Sequence, residues 1–555
     1  MPRPDRQPWQ VITRLDSSPA RTDPGHRVRS AGLPRGAAFG LAVLSGLLVS
    51  LSLPPLGWWP LGLVGLAGFS GLLAATATRP GAGRARRARS RAAIGAGVGI
   101  GLYSLSLWWA TGFNAAGYVA LVGHGALIMA AAAALVPVGR RWGLVAGLPA
   151  ALVVGDWARA RFPAGGLPIG GLALGQAGGP LVAVARLGGT LLVTATAALV
   201  GVGLAALAAA LLGRWRGGGR SRGPGPIVRV WVSGVVALGL ALALVVAGRL
   251  GPDGAGPGPH PELRVALVQG GGQRGLSSVD VDPAQVFERQ VAATQAIDQP
   301  VDLILWPEDV VHVEQPIDQT PEGAEISALA ADQHATLVAG VVTDIGADHF
   351  TNTAVAWSPS GTIVDSYNKV HRVPFGEYIP ARSLVRHVAD LSLVPRDAIA
   401  GHGPGILSTP AGPLGVVISY EVFFEDRARD AIRAGGEVLL VPTNASSYAT
   451  SQIPTQEVAA AQLRAWETGR YTVQASPTGY SAMITPDGRV VDRSVLGSQQ
   501  TIITTVERRQ GRTIFVVLGN LPFLLLAVAI LLGARLRWSR RTPSAAQSGA
   551  PPSDT

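Results

Sequence analysis

Three short strings hold groups suited to acid–base and nucleophilic work. Leu305-Trp306-Pro307-Glu308 ends one apolar run on a carboxylate, Tyr367-Asn368-Lys369 ends a second on an ammonium, and Val417-Ile418-Ser419-Tyr420-Glu421 ends a third on a hydroxyl. Proline stops a sheet ladder, so Pro307 is expected to turn Glu308 into a cleft. A carboxylate flanked there by Trp306 and Pro307 is expected to have a raised pKa and to serve as general base. A fixed ammonium at Lys369 stabilises the oxyanion of a tetrahedral intermediate. A serine on a strand-to-helix elbow presents its hydroxyl and offers the next backbone N–H, that of Tyr420, as an oxyanion donor. Taken singly, Glu308 reads better as a solvated loop glutamate, and Lys369 reads also as a surface lysine. The string from Val370 to Pro380 weighs against that, because it is built of aromatics, prolines and glycine rather than solvating residues.

These strings sit in a chain of membrane composition. Of 555 residues, 15% are charged and 48% apolar, with a mean hydropathy of +0.31, whereas a soluble domain carries about a quarter charged residues. The net charge of +11 does not indicate nucleic acid, because the arginines fall in short runs between apolar segments, as topology signals do. There is no cysteine, which excludes disulfides, Cys-ligated zinc and thiol catalysis. No metal-ligating cluster, phosphate-cradling glycine motif or internal repeat stands out, and no cofactor or metal is expected.

Eight apolar segments are long enough, or nearly so, to cross a bilayer core that needs roughly 20 residues. They lie near 36–53, 60–77, 92–111, 117–137, 143–160, 181–212, 229–248 and 514–534. Pro and Gly interrupt the second and fifth. The sixth is long enough to tilt or to follow a re-entrant piece around Pro163–Pro168. Arginines crowd the segment before the first span, the second-to-third loop, the fourth-to-fifth loop, the sixth-to-seventh loop and the end after the eighth. Every second loop is therefore basic, which predicts cytoplasmic termini and an extracytoplasmic polar segment after the seventh span. No cleaved signal peptide is expected. The predicted organisation is a tail over 1–35, seven transmembrane helices over 36–250, a second domain over 262–508, an eighth helix over 514–534 and a tail over 535–555.

In 262–508, short β-branched runs alternate with longer helical stretches. Leu263–Gln269, Leu303–Trp306, Thr336–Val342, Thr353–Ser358, Val416–Ser419 and Val438–Pro442 read as strands. Pro283–Ile297, Glu322–Gln333, Phe424–Ala434 and Thr455–Thr468 read as helices. The alternation predicts an α/β domain, without separating one α/β architecture from another.

A glutamate, a lysine and a small nucleophile, each closing an apolar run, is the layout of a nitrilase-type triad. Together with the flanking spans, these strings resemble the apolipoprotein N-acyltransferases, membrane enzymes that put the third acyl chain on bacterial lipoproteins. The resemblance covers roughly 36–534 and is strongest over 301–490. It implies an αββα sandwich of the nitrilase superfamily and a catalytic set of Glu308, Lys369 and Ser419. It also implies Glu377 as a second essential carboxylate, Tyr420 and Glu421 in support, and Tyr378, Asn444 and Tyr448 in substrate binding. His371 reads as structural or substrate-binding. The implied partners are a phospholipid acyl donor, a diacylglyceryl-cysteine lipoprotein acceptor and the bacterial cytoplasmic membrane, with the second domain on its outer face.

Two positions depart from the family. Its nucleophile is cysteine, where this chain has Ser419. Its Asn-Asp-Ala-Trp-Phe-Gly-like string corresponds to Thr443-Asn444-Ala445-Ser446-Ser447-Tyr448, with Tyr448 standing for the tryptophan. Serine forms an acyl ester where cysteine forms a thioester, but its hydroxyl is the weaker nucleophile near pH 7. A working serine enzyme, a weak or inactive paralogue that binds lipoprotein or phospholipid, and a Cys→Ser change that traps substrate remain open, as does a membrane-tethered amidase. Asp156-Trp157-Ala158-Arg159 resembles the family's acidic-Trp-Leu-Arg signature, and local pairing of the two charges accounts for it equally well. Glu457, Arg464, Glu467 and Arg470 fall at helical spacing and read as helix-surface ion pairs.

Overall fold

The computed structural model describes residues 33–77, 83–112, 115–140, 142–216, 225–272, 282–387, 391–392, 394–445 and 452–539. The apolar segments before the linker form helices α1 Arg35–Ser50, α2 Trp59–Ala75, α3 Arg84–Ser106, α4 Ala115–Leu135, α5 Gly143–Arg159, α6 Ala185–Arg216 and α7 Gly225–Leu250. Among the described residues, three helical stretches, Ala115–Leu135, Pro180–Gly213 and Val228–Leu250, are long and apolar enough to cross a membrane; Arg35–Ser50, Trp59–Ala75 and Leu521–Leu536 are shorter apolar helices. Small residues let the helices touch backbone to backbone. A Cβ added at Gly46 would stand 2.0 Å from the Val98 carbonyl oxygen, and one at Gly101 would stand 2.1 Å from that of Val43. The proline that interrupts the second segment in sequence lies in the first turn of α2, where a missing N–H costs nothing.

The stretch from 160 to 184 is irregular and mostly buried. It holds two 3-10 turns, Leu172–Gln176 and Pro180–Val184, before α6 begins and bends at Gly188 and Gly189. Arg159 organises it. Its guanidinium donates to the carbonyls of Leu167, Pro168 (3.1 Å) and Ile169 (2.8 Å). The Asp156 carboxylate stands 3.8 Å away and accepts instead from Thr194 Oγ1 at 2.8 Å. The two charges therefore do not simply neutralise each other; each anchors a neighbouring segment.

The second half is an αββα sandwich. In the first sheet, β14 (Gln500–Glu507), β1 (Glu262–Gln269), β2 (Leu303–Leu305), β4 (Thr336–Ile345), β5 (His349–Trp357) and β6 (Ile363–Asn368) lie side by side, with β3 (Val311–Val313) on β4 and β7 (Asp397–Ala398) on β5. In the second, the order is β13 (Val490–Arg493), β12 (Ala482–Ile484), β11 (Thr472–Ala475), β10 (Val438–Pro442), β9 (Gly412–Val416) and β8 (Ile406–Thr409). The central strands of both sheets run parallel. They are apolar on both faces, as strands covered on two sides must be. In β1, Leu263, Val265 and Leu267 face the second sheet, while Ala266 and Val268 face the outer helices α8 (Pro283–Gln295) and α9 (Pro321–Asp332).

The other outer layer is α11 (Glu425–Arg433) and α12 (Ile453–Thr468), with the short α10 (Arg382–Val385) in the loop before β7. This layer rests on the membrane half. Leu439 and Val441 of β10 and Ala459 and Leu463 of α12 share one apolar core with Leu172, Leu181 and Leu191. Gln452 and Gln456 cap that contact, donating to the end carbonyls of α3 at Leu105 (2.8 Å) and Ser106 (3.2 Å).

Three expectations need correction. The eighth segment is two helices, α13 (Ile514–Leu518) and α14 (Leu521–Ser539). They are broken at Gly519, which takes φ +69, and Arg429 donates to the freed carbonyls of Phe515, Val516 and Val517. The strand before Ser419 ends at Val416, and Ser419–Phe423 is a 3-10 turn. Arg464, Glu467 and Arg470 are fully buried rather than on the surface. Arg470 donates to Gly254, Gly436 and Gly511 and so ties the linker to the chain leaving the sandwich.

Candidate active site

Glu308 stands where β2 has ended. Gly340 of β4 lets the turn approach: its N–H donates to the Pro307 carbonyl at 3.1 Å, and a Cβ there would lie 2.5 Å from Glu308 Cα. Trp306 does not flank the carboxylate as expected. Its ring lies on the outer face of the sheet against Phe287 of α8, with Nε1 donating to Thr294. The desolvation of Glu308 has another source.

That source is a closed polar cluster. Lys369, at the end of β6, is fully buried and donates from Nζ to Glu308 Oε1 at 2.8 Å and Glu377 Oε1 at 2.9 Å. Asn352 of β5 donates from Nδ2 to the same two oxygens at 2.9 and 3.0 Å, while its carbonyl accepts the Lys369 N–H at 2.9 Å. The Val373 amide donates to Glu377 Oε2 at 2.7 Å. Burial pushes Glu308 above the usual carboxylate range; Lys369 opposes this and Glu377 reinforces it. Burial alone would pull Lys369 down, but the two glutamates outweigh it and push it up, so its ammonium persists.

Ser419 opens the 3-10 turn with φ +49, a left-handed conformation that costs a non-glycine residue of order 1–3 kcal/mol and clusters at functional elbows. Among the described residues its hydroxyl makes no hydrogen bond. One bridge brings this elbow to the lysine loop, and a second ties the loop after β10 to the Glu308 turn. Glu421, fully buried, accepts from the amides of Val370 (2.9 Å), His371 (3.0 Å) and Ile418 (2.9 Å) and from the Tyr367 hydroxyl. Asn444, beyond β10, donates to Asp309 at 3.2 Å, next to Glu308.

Two of the remaining expected residues join the sandwich to the irregular stretch of the membrane half. The Tyr378 hydroxyl donates to the Ala164 carbonyl and that of Tyr420 to the Gly166 carbonyl, both at 2.9 Å. His371 stacks on Phe424 with centroids 4.1 Å apart, and burial pulls its pKa down. Tyr448 lies outside the described residues.

Sequence reasoning missed Asn352, whose signal is a lone amide in a Thr/Ala/Val strand. It also misread Glu457. That carboxyl, on α12, is buried, accepts from Thr443 Oγ1 at 2.9 Å, and leaves Oε2 without a hydrogen bond. Burial pushes it up to about 8, with Glu308 adding to the rise and Lys369 opposing it, so it belongs to the electrostatics of the cluster.

With this geometry in place, the relatives are informative. Residues 264–514 match the carbon-nitrogen hydrolase family, and 45–203 match the apolipoprotein N-acyltransferase N-terminal domain. The apolipoprotein N-acyltransferase of Mycolicibacterium smegmatis is 30% identical over 520 residues, covering 88% of this chain and 85% of that protein. The chain belongs to the apolipoprotein N-acyltransferase family. The Allorhizobium ampelinum apolipoprotein N-acyltransferase is 29% identical over 493 residues, covering 81% of this chain and 86% of its own. Among solved structures, Saccharomyces cerevisiae Nit3, a member of branch 10 of the nitrilase superfamily, aligns at 20% identity and a TM-score of 0.34 over 44% of this chain and 90% of its own. The sandwich of this N-acyltransferase family member is a nitrilase-like α/β domain.

Proposed function

We propose that this lipoprotein N-acyltransferase works through an acyl ester on Ser419. The observation that carries the reading is the bridge of Lys369 between Glu308 and Glu377, with Asn352 bonded to both oxygens. A buried, elevated carboxylate is a competent base, and a buried, persistently charged lysine is a preorganised oxyanion partner.

In the first half-reaction, Ser419 Oγ attacks the acyl carbonyl of a phospholipid and its proton passes to Glu308. Lys369 and the Tyr420 amide hold the oxyanion. The carbonyl–glycerol C–O bond breaks, and Glu308 returns the proton to the departing lysophospholipid alkoxide. In the second, the α-amine of a diacylglyceryl-cysteine attacks the Ser419 ester. The amide forms, the ester C–O bond breaks, and the amine's proton returns through Glu308 to Ser419. Glu377 and Asn352 hold Lys369, Glu421 braces the elbow, and Tyr378 and Asn444 take part in binding substrate, a role the family resemblance also gives to Tyr448. Exclusion of water from the acyl-enzyme favours aminolysis over hydrolysis.

The topology we propose has seven spans over 36–250, the sandwich over 262–508 outside the cytoplasmic membrane, a final span in α14 from Leu521 and both termini inside. The arginine distribution supports it. The deciding experiment is mass spectrometry of a lipoprotein N-terminus in cells whose sole N-acyltransferase gene encodes this chain or Ser419→Ala. Triacylated peptide with the first and diacylated peptide with the second is the expected result. Diacylated peptide with both would replace the serine-enzyme reading with that of a lipid- or lipoprotein-binding paralogue.

A further inference from the structure

The Glu457 carboxyl has no task in either half-reaction, yet it stands at the edge where the site is built. β9, β10 and β11 run parallel and release the chain at one edge of the second sheet, the kind of edge where α/β sheets bind ligands. Ser419 follows β9 there, and Thr443 follows β10. Thr443 donates from its N–H to the Ala475 carbonyl and from Oγ1 to Glu457 Oε1, both at 2.9 Å. The next residue, Asn444, donates to Asp309 beside Glu308. α12 packs on the Ser419–Phe423 turn, and the Glu457 carboxyl is within electrostatic reach of Glu308 and Lys369.

Glu457 is 3% exposed, and its Oε2 is buried with no hydrogen-bond partner among the described residues. A buried carboxylate needs a cation or several donors, and one threonine hydroxyl is all that meets this one. The charges around it are taken. Lys369 is shared by Glu308 and Glu377, and Arg464, farther along α12, donates to Glu467. Glu421 of the serine turn accepts from backbone amides, Glu425 of α11 from Thr190 and Asp156 of the membrane half from Thr194. Asp426 pairs with Arg161, while Arg159 and Arg186 donate to backbone carbonyls. Glu457 is therefore a carboxylic acid at neutral pH. Burial pushes it up to about 8 against the Thr443 hydrogen bond, with Glu308 adding to the rise and Lys369 opposing it.

A protonated carboxyl whose one oxygen accepts from Thr443 offers the other as an O–H donor. Buried donors are normally matched, so the acceptor is expected to arrive with substrate. The scissile carbonyl is held by Lys369 and the Tyr420 amide. Phospholipid and diacylated lipoprotein also share a diacylglyceryl group, whose ester carbonyls are acceptors.

We infer that Glu457 binds the diacylglyceryl group common to both substrates, its Oε2–H donating to an ester carbonyl oxygen. The inference rests on the acyl-ester reading above. One donor then serves the phospholipid in the first half-reaction and the lipoprotein in the second.

Full-length wild type, Glu457→Gln and Glu457→Leu in neutral detergent are loaded from phosphatidylethanolamine and phosphatidylglycerol labelled in their acyl chains. A synthetic diacylated lipopeptide is then added. The rates at which label reaches Ser419 and then the lipopeptide are followed from about pH 6 to about pH 10. Glu457→Leu, which has no donor, should slow both steps about 10-fold, the loss of one hydrogen bond. Glu457→Gln keeps an acceptor for Thr443 and an N–H donor at the Oε2 position, so it should recover what the leucine variant loses. Wild-type rates should fall as pH rises past about 8, where Glu457 ionises, and those of Glu457→Gln should not. Loss in the first step alone assigns the contact to the phospholipid, and loss in the second alone to the lipopeptide. Should Glu457→Leu not fold, the comparison of wild type with Glu457→Gln across pH carries the test. Full rates in the leucine variant, a glutamine variant as slow as leucine, or a fall past pH 8 that persists in the glutamine variant would each overturn the inference. A wild type that takes no label on Ser419 fails the acyl-ester reading itself, and the inference with it.

Discussion

Glu421 reaches from the serine elbow to the lysine loop and accepts the Val370 amide at 2.9 Å. The same carboxylate takes the His371 amide, the Ile418 amide and the Tyr367 hydroxyl, and Arg427 stands 3.6 Å away. Ser419 and Lys369 are thus each within two residues of a shared anchor, although 50 positions separate them in the sequence.

Glu421→Gln should therefore act as a positioning defect. The amide keeps one acceptor oxygen but loses the charge that strengthens its hydrogen bonds, each worth about 1.5–3 kcal/mol when charge-assisted. The expected outcome is a thermal destabilisation of a few kcal/mol and a fall in turnover of at least 100-fold in vesicles with phospholipid donor and a diacylated peptide. Full turnover in the variant would show that the brace does not set the catalytic geometry.

Ser419→Cys asks whether the pocket is tuned to serine. A thiolate is reached at far lower pH cost than an alkoxide. If Glu308 and Lys369 serve either nucleophile, the cysteine form should acylate faster and accumulate a hydroxylamine-sensitive thioester with donor phospholipid. Unchanged or lower activity with no trapped acyl group would mean that the cleft has adapted around the hydroxyl.

Glu457 should leave a mark on the pH dependence of stability. Its folded pKa of about 8 lies above the ordinary glutamate value of 4.5. The folded state therefore binds this proton more tightly than the unfolded one. The resulting stabilisation is complete below about pH 4.5 and is lost as pH rises toward 8, at on the order of 1 kcal/mol per pH unit. Glu457→Gln removes that loss, so denaturant titrations should show the variant gaining on wild type between pH 6 and pH 8. Curves that stay parallel across that range would show that Glu457 is not held protonated.

For topology, an alkaline phosphatase fused within Gly251–Pro261 should be active, and one fused after Arg541 inactive. The opposite pattern would reverse the orientation and remove the sandwich from the lipoprotein-bearing face.

The sequence by itself determined the two-part architecture of apolar helices and an α/β domain, and it singled out Glu308, Lys369 and Ser419 as candidates. Each of these is a local pattern. A bilayer demands a run of apolar residues of a given length, and Glu308, Lys369 and Ser419 each stand where an apolar run meets a turn. Tertiary structure alone decided the pairings. That Lys369 bridges Glu308 and Glu377, that Asn352 touches both, that Glu421 braces two loops, and that Tyr378 and Tyr420 reach carbonyls near residue 165 are contacts between positions 8 to 254 apart. Burial decided the rest. Glu457 and Arg464 carry the helical spacing of a solvated face, yet α12 is enclosed between the second sheet and the membrane helices, so the same charges lie in the interior. Gly519 breaks the last helix because Arg429, 90 residues earlier, takes up the carbonyls the break sets free. No period within one segment encodes what a distant segment will cover, and that covering sets which charges stay solvated and which become chemistry.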